Sequence, residues 1–200
     1  MENIILFDVD RTLIDTSKLK NLRYRSLIKK IKISEKDHFE ATQNYVKSLK
    51  SSTDFNPETY LKMLSGYCKT EFASLAEIYY DRRLYSECLF PDVLKVLEVL
   101  NKNYKLGIFS EGYKKFQNKK LFLSGIHDYF HKDNKYIFRR KTLDKNLARI
   151  SKDAVIVDNN KEVMEILYSK GFRRLYWVNR KDNKNHKKIQ TVFDLTSLQL

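Results

Sequence analysis

The 200-residue sequence is poor in the residues that mark several common protein classes. It contains two cysteines, two prolines and five glycines, and no apolar run approaches the length needed to span a membrane. Cys68 and Cys88 have neither metal-site spacing nor a secretory context, so we expect two reduced thiols. We find no low-complexity linker and no internal repeat. These absences argue against a disulfide-rich scaffold, a repeat array and a membrane protein.

The first residues also lack the features of a secretory signal. Met1-Glu2-Asn3 leads directly into an apolar run, without a basic start, a long apolar region or a small-residue cleavage site. The composition, with 42% hydrophobic and 32% charged residues, is typical of a globular domain. We therefore expect a cytoplasmic protein without membrane association.

Positive charge is what the sequence has in excess. The formal net charge is +14, and residues 101–150 hold 13 Lys or Arg against 4 Asp or Glu. Such a surplus attracts anionic ligands, from phosphorylated metabolites to nucleic acid. A solvated, lysine-rich surface explains it equally well. Charge alone does not decide between these interpretations.

Short apolar runs typical of buried strands alternate with helical patterns along most of the chain. The runs cover residues 3–7, 105–110, 154–158 and 175–178. Helices are predicted over residues 90–100 and 161–170, and Gly171 stands where a helix C-cap would lie. This alternation predicts an α/β fold with a doubly wound, Rossmann-like parallel sheet.

Residues 15–88 differ, because they contain several helix starts and no convincing strand. Ser34–Asp37 resembles a capping box, and Glu71–Cys88 is a long amphipathic stretch rich in tyrosine. We predict an all-helical insertion over residues 15–88. The α/β core domain would then consist of residues 1–14 and 89–200.

Two carboxylates follow the first apolar run, in the segment NIILFDVDRT. Asp8 and Asp10 would stand beyond the carboxyl end of a strand, where ligands bind in open α/β sheets. Two like charges held close together repel unless a cation lies between them. The pair therefore predicts a metal site, and the alternative is a simple strand terminator or turn.

Four motifs, in this order, resemble those of the haloacid dehalogenase superfamily, and specifically its phosphatases with a helical cap. The first motif of that family, DxDxT after a hydrophobic strand, is matched by residues 8–12. The second, a Ser or Thr that ends the next core strand, is matched by Ser110 in IFSEG. Arg11 departs from the pattern, because that position is often glycine.

The third and fourth motifs follow in the carboxyl-terminal part of the chain. Lys141 in RRKTLDKNL is the best candidate for the family's lysine, and three further bases nearby compete for that role: Arg139, Arg140 and Lys145. Asp158 in VIVDNNKE matches the acidic motif, with Glu162 in place of the usual second carboxylate. The resemblance covers essentially the whole chain and implies that residues 15–88 form a cap domain.

The resemblance also implies a chemical role for each carboxylate. Asp8 would attack phosphorus and form an aspartyl-phosphate. Asp10 would act first as general acid and then as general base, which requires surroundings that raise its pKa. The side chains of Asp8 and Asp158 and the backbone carbonyl of Asp10 would hold Mg²⁺.

The other motif residues fall into two groups by the same resemblance. Binding of the substrate phosphate is expected of Ser110, Glu111, Gly112 and Lys141. Three further residues are expected to orient the catalytic and phosphate-binding side chains through hydrogen bonds: Thr12, Asn159 and Glu162. Glu162 would do so by orienting the lysine or metal-bound water.

The resemblance thus predicts a monomeric, Mg²⁺-dependent phosphatase that acts on a small phosphorylated metabolite. A phosphomutase of the same superfamily is one alternative. Another is a basic nucleic-acid-binding protein on an inactive scaffold, which the aromatic residues interleaved with bases between 113 and 138 leave open. The intact acidic motifs favour the enzyme, so we expect nucleic acid not to be the main partner.

Overall fold

The computed structural model describes residues 3–200, so residues 1 and 2 of the predicted core segment lie outside it. Its sheet has six parallel strands in the order β3-β2-β1-β4-β5-β6. The strands are β1 (Ile4–Phe7), β2 (Lys105–Glu111), β3 (Lys135–Phe138), β4 (Val155–Asp158), β5 (Leu175–Val178) and β6 (Gln190–Val192). The predicted doubly wound parallel sheet is confirmed.

Strand β1 lies at the point where the strand order changes direction. Phe7 is opposite Ile108 of β2 on one side and Val157 of β4 on the other. Ile5 and Phe7 belong to one hydrophobic cluster and Leu6 to another, so both faces of the strand are buried. This explains why the strand is a continuous apolar run. Ligands bind beyond the carboxyl ends of strands at such a switch point.

Nine helices surround and extend this sheet within the described residues. They are α1 (Thr16–Ile31), α2 (Glu35–Ser48), α3 (Pro57–Cys68), α4 (Phe72–Tyr79), α5 (Arg82–Ser86), α6 (Val93–Leu100), α7 (Lys114–Leu123), α8 (Asp144–Leu147) and α9 (Lys161–Ser169). The first six lie between β1 and β2. The first five of these fall within residues 15–88, which contain no strand. Across residues 3–200, no helix has both the length and the apolar character needed to cross a membrane.

The helical segment has a hydrophobic core of its own and two adjacent connections to the sheet. Leu27, Leu61 and Leu64 are among its buried residues. At the connections, Ile14 and Leu89 form an isolated antiparallel bridge. The chain therefore leaves the sheet and returns to it at neighbouring points.

Two sequence-based helix predictions differ from the structure in their bounds. The stretch 71–88 forms two helices, because Asp81 accepts a hydrogen bond from the backbone N–H of Arg83 (3.0 Å) and caps a new helix there. Helix α6 begins at Val93 instead of residue 90. Asp92 does not cap it, because its carboxylate accepts hydrogen bonds from Arg180 (2.7 Å) and from the backbone of Leu195 (2.6 Å).

Strands β3 and β6 were not predicted from the sequence. Both lie at the edges of the sheet and have only four and three residues. An edge strand is covered less completely than a central one, so its sequence mixes polar and apolar residues. The runs KYIF and QTV consequently lack the continuous apolar pattern of β1 and β4.

Candidate active site

A buried group of three charged residues lies at the carboxyl ends of β1 and β4. Lys141 Nζ is 2.9 Å from Asp8 Oδ1 and 2.5 Å from Asp158 Oδ2, and it also donates to the Phe109 carbonyl (3.3 Å). Asp8, Lys141 and Asp158 are 6%, 3% and 0% exposed. We call these three residues the Asp8 cluster. It joins the first, third and fourth motifs in one place.

The structure distinguishes Lys141 from the other basic candidates. Arg139 and Arg140 both form ion pairs with Asp54 of the helical insertion. Lys145 is exposed on α8. Lys141 is therefore the one of the four bases that contacts both motif carboxylates.

The Asp8 cluster carries more negative than positive charge in a dry environment. Burial raises the pKa of Asp8 to about 7, an effect that Lys141 opposes and that Asp158 and Asp10 increase. Burial alone would lower the pKa of Lys141, but Asp158 and Asp8 outweigh it and raise that pKa. One further cation would balance the charge of the cluster.

The donor set fits Mg²⁺ as that further cation. The side chains of Asp8 and Asp158 offer hard oxygen ligands, as would the backbone carbonyl of Asp10. Among residues 3–200, no group of three or more His, Cys, Asp or Glu side chains is placed to hold a metal. The expected site needs only two such side chains, since Mg²⁺ commonly keeps water and phosphate oxygens as its remaining ligands.

Ser110 ends the core part of β2 with an unsatisfied hydroxyl group. The residue is 1% exposed, and its Oγ has no hydrogen-bond partner among the described residues. A buried hydroxyl group without a partner is costly, so a ligand atom is expected there. A phosphate oxygen would accept this hydrogen bond.

Glu111 and Gly112 are placed differently from the expected phosphate binders. The Glu111 carboxylate accepts the backbone N–H of Lys141 (2.8 Å), and the backbone N–H of Gly112 donates to the Phe138 carbonyl (2.8 Å). These contacts tie the ends of β2 and β3 together and orient Lys141. The Glu111 side chain and the Gly112 amide are therefore engaged within the protein, and phosphate binding by these two residues stays a prediction.

Asp10 belongs to a second charged group beside the first. Lys120 Nζ lies 2.7 Å from both carboxylate oxygens of Asp10. Gln117 Nε2 donates to Oδ2 (2.9 Å) and Thr16 Oγ1 donates to Oδ1 (2.7 Å). We call Asp10, Thr16, Gln117 and Lys120 the Asp10 cluster.

The electrostatics of Asp10 are opposite to those expected from the sequence. Burial would raise its pKa, but the Lys120 ammonium and the hydrogen bonds from Gln117, Lys120 and Thr16 outweigh burial and lower the pKa well below its usual range. The expectation of a raised pKa is therefore wrong for this arrangement. Asp10 is held here as a carboxylate, the form that accepts a proton.

Of the three residues expected to orient the site, Thr12 and Asn159 contact each other, whereas Glu162 lies at the surface. Thr12 is fully buried, and its Oγ1 accepts the backbone N–H of Asn159 (3.1 Å), whose carbonyl accepts Trp177 Nε1 (3.0 Å). These bonds connect the loops after β1 and β4 with each other and with strand β5. Glu162 is exposed in the first turn of α9 and, among the residues described, its side chain forms no contact with Lys141. The expected role of Glu162 in orienting the lysine is not supported.

Sequence reasoning missed three residues of the site: Thr16, Gln117 and Lys120. Gln117 and Lys120 are three residues apart and therefore share one face of α7. Within the segment KKFQNKKLFL, Lys120 is one of four lysines. The sequence offers only one indication of their role: two polar residues lie on the helix face that also carries the buried Leu121. This pattern is too common to predict a site residue without the structure.

Comparison with known sequences identifies the class of protein to which this fold belongs. The sequence model of the haloacid dehalogenase-like hydrolase family matches residues 5–134. This match covers more than half of the chain. The chain therefore belongs to this family.

Individual proteins resemble this chain at low sequence identity. The glyceraldehyde 3-phosphate phosphatase of Methanopyrus kandleri is 29% identical over 140 residues, which make up 66% of this chain and 60% of that protein. This chain thus matches about three fifths of the relative's length.

Among solved structures, a HAD phosphatase from Thermococcus onnurineus is similar with a TM-score of 0.65 and 24% identity, covering 98% of this chain and 95% of that one. The HAD-type protein YfnB of Bacillus subtilis, in a magnesium-bound crystal form, has a TM-score of 0.63 and 18% identity, covering 98% and 96%. At these identities the likeness shows a shared fold.

Proposed function

We propose that this chain is a Mg²⁺-dependent phosphatase that hydrolyses a small phosphate monoester through an aspartyl-phosphate on Asp8. The Asp8 cluster carries this proposal, because it brings a buried carboxylate, a lysine and a second carboxylate into direct contact. The unpartnered Ser110 hydroxyl group supports it as a further donor for a phosphate oxygen. Such a set of groups suits phosphoryl transfer, where positioning and charge stabilisation dominate catalysis.

The reaction would proceed in two displacements at phosphorus. In the first, an Asp8 oxygen bonds to phosphorus while the ester oxygen leaves and takes a proton from Asp10. Asp10 would carry this proton only in the substrate complex, where the negative charge of the bound phosphate opposes Lys120 and raises the pKa of Asp10 above its value in the free protein. In the second, water attacks phosphorus, its proton passes to Asp10, and the Asp8 carboxylate is regenerated as phosphate departs. The proton that Asp10 gives in the first step equals the one it gains in the second, so the cycle balances.

The remaining groups would hold the transferring phosphate. Lys141 and Ser110 would donate to its oxygens and offset charge that develops during transfer. Mg²⁺, held by the side chains of Asp8 and Asp158 and the backbone carbonyl of Asp10, would when bound neutralise the repulsion between carboxylate and phosphate. The Asp10 cluster suits the second displacement, because it holds Asp10 ready to accept a proton.

The helical insertion is proposed to act as a cap over this site. Its two connections lie side by side at Ile14 and Leu89, an arrangement suited to a hinge. Asp54 and Glu58 of the insertion contact Arg140 (3.1 Å) and Lys115 (2.8 Å) of the core. Closure would exclude water from the first displacement. The proposed domain limits remain residues 1–14 with 89–200 for the core and 15–88 for the cap.

A small substrate is preferred over nucleic acid because part of the basic surplus is paired with carboxylates of the protein itself. Five of the 13 Lys and Arg residues between 101 and 150 pair with carboxylates of the site or insertion: Lys115, Lys120, Arg139, Arg140 and Lys141. These side chains do not form a free basic surface. The name of the Methanopyrus kandleri relative makes three-carbon sugar phosphates the first substrates to test. A monomeric state and a cytoplasmic location stay predictions.

The test is a screen of phosphate monoesters, including glyceraldehyde 3-phosphate and p-nitrophenyl phosphate, with Mg²⁺ and with a chelator. We expect phosphate release that depends on Mg²⁺ in the parent protein. Mass spectrometry of acid-quenched protein should show one phosphoryl group on Asp8. A parent protein that releases phosphate from none of these esters, and never becomes phosphorylated, would refute the proposal.

A further inference from the structure

Lys120 is a buried lysine that the family motifs leave unexplained. It is 5% exposed, whereas lysines are almost never buried this completely unless they are paired. Both oxygens of Asp10 lie 2.7 Å from its amine. Asp10 is its ion-pair partner, so the two residues form a closed pair of charges next to the Asp8 cluster.

Lys120 acts together with a second residue on the same helix. Gln117, one turn earlier on α7, donates from Nε2 to Asp10 Oδ2 (2.9 Å) and to the Glu111 carbonyl (2.7 Å). Both partners are acceptors, which fixes the orientation of the amide. Lys120 and Gln117 therefore restrain the Asp10 carboxylate through two side chains of one rigid element.

The restraint leaves part of Asp10 open. The side chain of Asp10 is 33% exposed, while that of Lys120 is 6% exposed. The protein thus holds the carboxylate from one side, and solvent reaches it from the other. A water molecule that approaches the open side would meet a carboxylate that is charged and fixed in orientation.

We propose that Lys120 is a positioning residue that fixes the Asp10 carboxylate for the water-activating step of the reaction. This inference rests on the proposed function, because it assigns Lys120 to the second displacement. Without its amine, Asp10 would lose the contact that both of its oxygens share and could rotate away from the attacking water. A misplacement of about 1 Å can reduce a rate on the order of 10²-fold.

Pre-steady-state kinetics with p-nitrophenyl phosphate and Mg²⁺ separate the two displacements. Release of p-nitrophenol needs little help from an acid, so the initial burst reports attack by Asp8. The following steady rate reports hydrolysis of the aspartyl-phosphate. For Lys120→Met we expect a burst at near the parent rate, a steady rate per burst site that falls on the order of 10²-fold, and accumulation of phosphorylated protein.

Three further variants make the result specific to position. Lys120→Arg keeps a charged donor and should recover part of the steady rate. Gln117→Leu removes the other α7 donor without a change of charge and should give a smaller loss in the same step. Lys119→Met removes one positive charge at the adjacent residue, whose amine lies over the Tyr80 ring, and should match the parent.

The outcomes are distinct. A purely structural role for Lys120 would reduce the burst amplitude, which counts folded sites, and leave the steady rate per site unchanged. That result, or an equal loss of rate in both phases, would overturn the inference. A parent protein with no burst, no turnover and no phosphorylation would instead refute the proposed function, and this inference with it.

Discussion

The Asp8 and Asp10 clusters begin two residues apart in the sequence but balance their charges in opposite ways. Two carboxylates share one lysine in the Asp8 cluster, and the pKa of Asp8 is raised to about 7. In the Asp10 cluster a single carboxylate pairs with a single lysine, and the pKa of Asp10 is lowered. The first cluster needs a further cation and the second is neutral without one. In the proposed mechanism, this difference corresponds to metal-dependent chemistry beside Asp8 and proton transfer beside Asp10.

The largest expected effect comes from removing the nucleophile. Asp8→Asn keeps the size of the side chain but removes the attacking charge, so kcat/KM should fall by several orders of magnitude. Steady-state hydrolysis of p-nitrophenyl phosphate measures the loss, and circular dichroism checks the fold. Asp153→Asn, at an exposed position before β4, is the matched control. Near-parent activity in Asp8→Asn would remove the Asp8 cluster from the mechanism.

The two clusters also differ in how far the sequence predicted them. Asp8, Ser110 and Asp158 stand at or just beyond the ends of apolar strands, and parallel strands bring such ends to one edge of the sheet. Their convergence therefore follows from a pattern that is visible in the sequence. The sheet itself was predicted for the same reason, apart from its two short edge strands.

The partners of Asp10 could not be predicted in this way. Lys120 and Gln117 reach it because α7 packs beside the loop after β1, a tertiary arrangement with no local sequence signal. Their neighbours Lys119 and Lys115 look alike in the sequence but contact Tyr80 and Glu58 instead. The same limit explains Glu162, whose helix turn carries it to the surface although its spacing from Asp158 suits a contact with the site.

The second prediction tests whether Lys141 acts through its contacts in the Asp8 cluster or only through its positive charge. Lys141→Met removes a donor to the transferring phosphate, and kcat/KM should fall about 10²- to 10³-fold. The variant also leaves two buried carboxylates without their shared base, so its melting temperature in chelator should drop. Lys145→Met removes the same charge from exposed α8 and should change neither quantity. Equal effects of the two substitutions would show that Lys141 acts through general charge only.

The third prediction uses pH to test the excess charge of the Asp8 cluster. Below about pH 4 the Asp8 carboxyl group is protonated in both the folded and the unfolded protein. Between its ordinary value of 3.8 and about 7, the unfolded chain ionises Asp8 while the folded protein keeps the proton. Rising pH therefore destabilises the folded protein through Asp8 in this window, by up to about 1.4 kcal/mol per pH unit.

Comparison of the parent with Asp8→Asn isolates this contribution. Urea unfolding in chelator should show the variant to be more stable than the parent at pH 8, with the difference vanishing near pH 4. Added Mg²⁺ should stabilise the parent more at pH 8 than at pH 5, because it offsets the charge that Asp8 then carries. A constant difference between parent and variant across this pH range would contradict a raised pKa at Asp8.

The smallest effect is expected at Arg11, which directly follows Asp10 in the turn that leads from β1 to the insertion. Its φ angle is +65°, in the left-handed region, where a side chain costs about 1–2 kcal/mol relative to the right-handed form. Its backbone N–H donates to the Ile14 carbonyl (2.7 Å), so the turn is fixed despite this cost. Arg11→Gly should relieve the strain but also loosen the unfolded chain, giving a net stabilisation of about 0.5–1 kcal/mol in urea unfolding. Arg11→Ala keeps the strain and serves as the control. Arg11→Ala should not stabilise the protein as much as Arg11→Gly if the strain lies in the backbone of this turn. Equal stabilisation by the two substitutions would show that the gain comes from loss of the Arg11 charge.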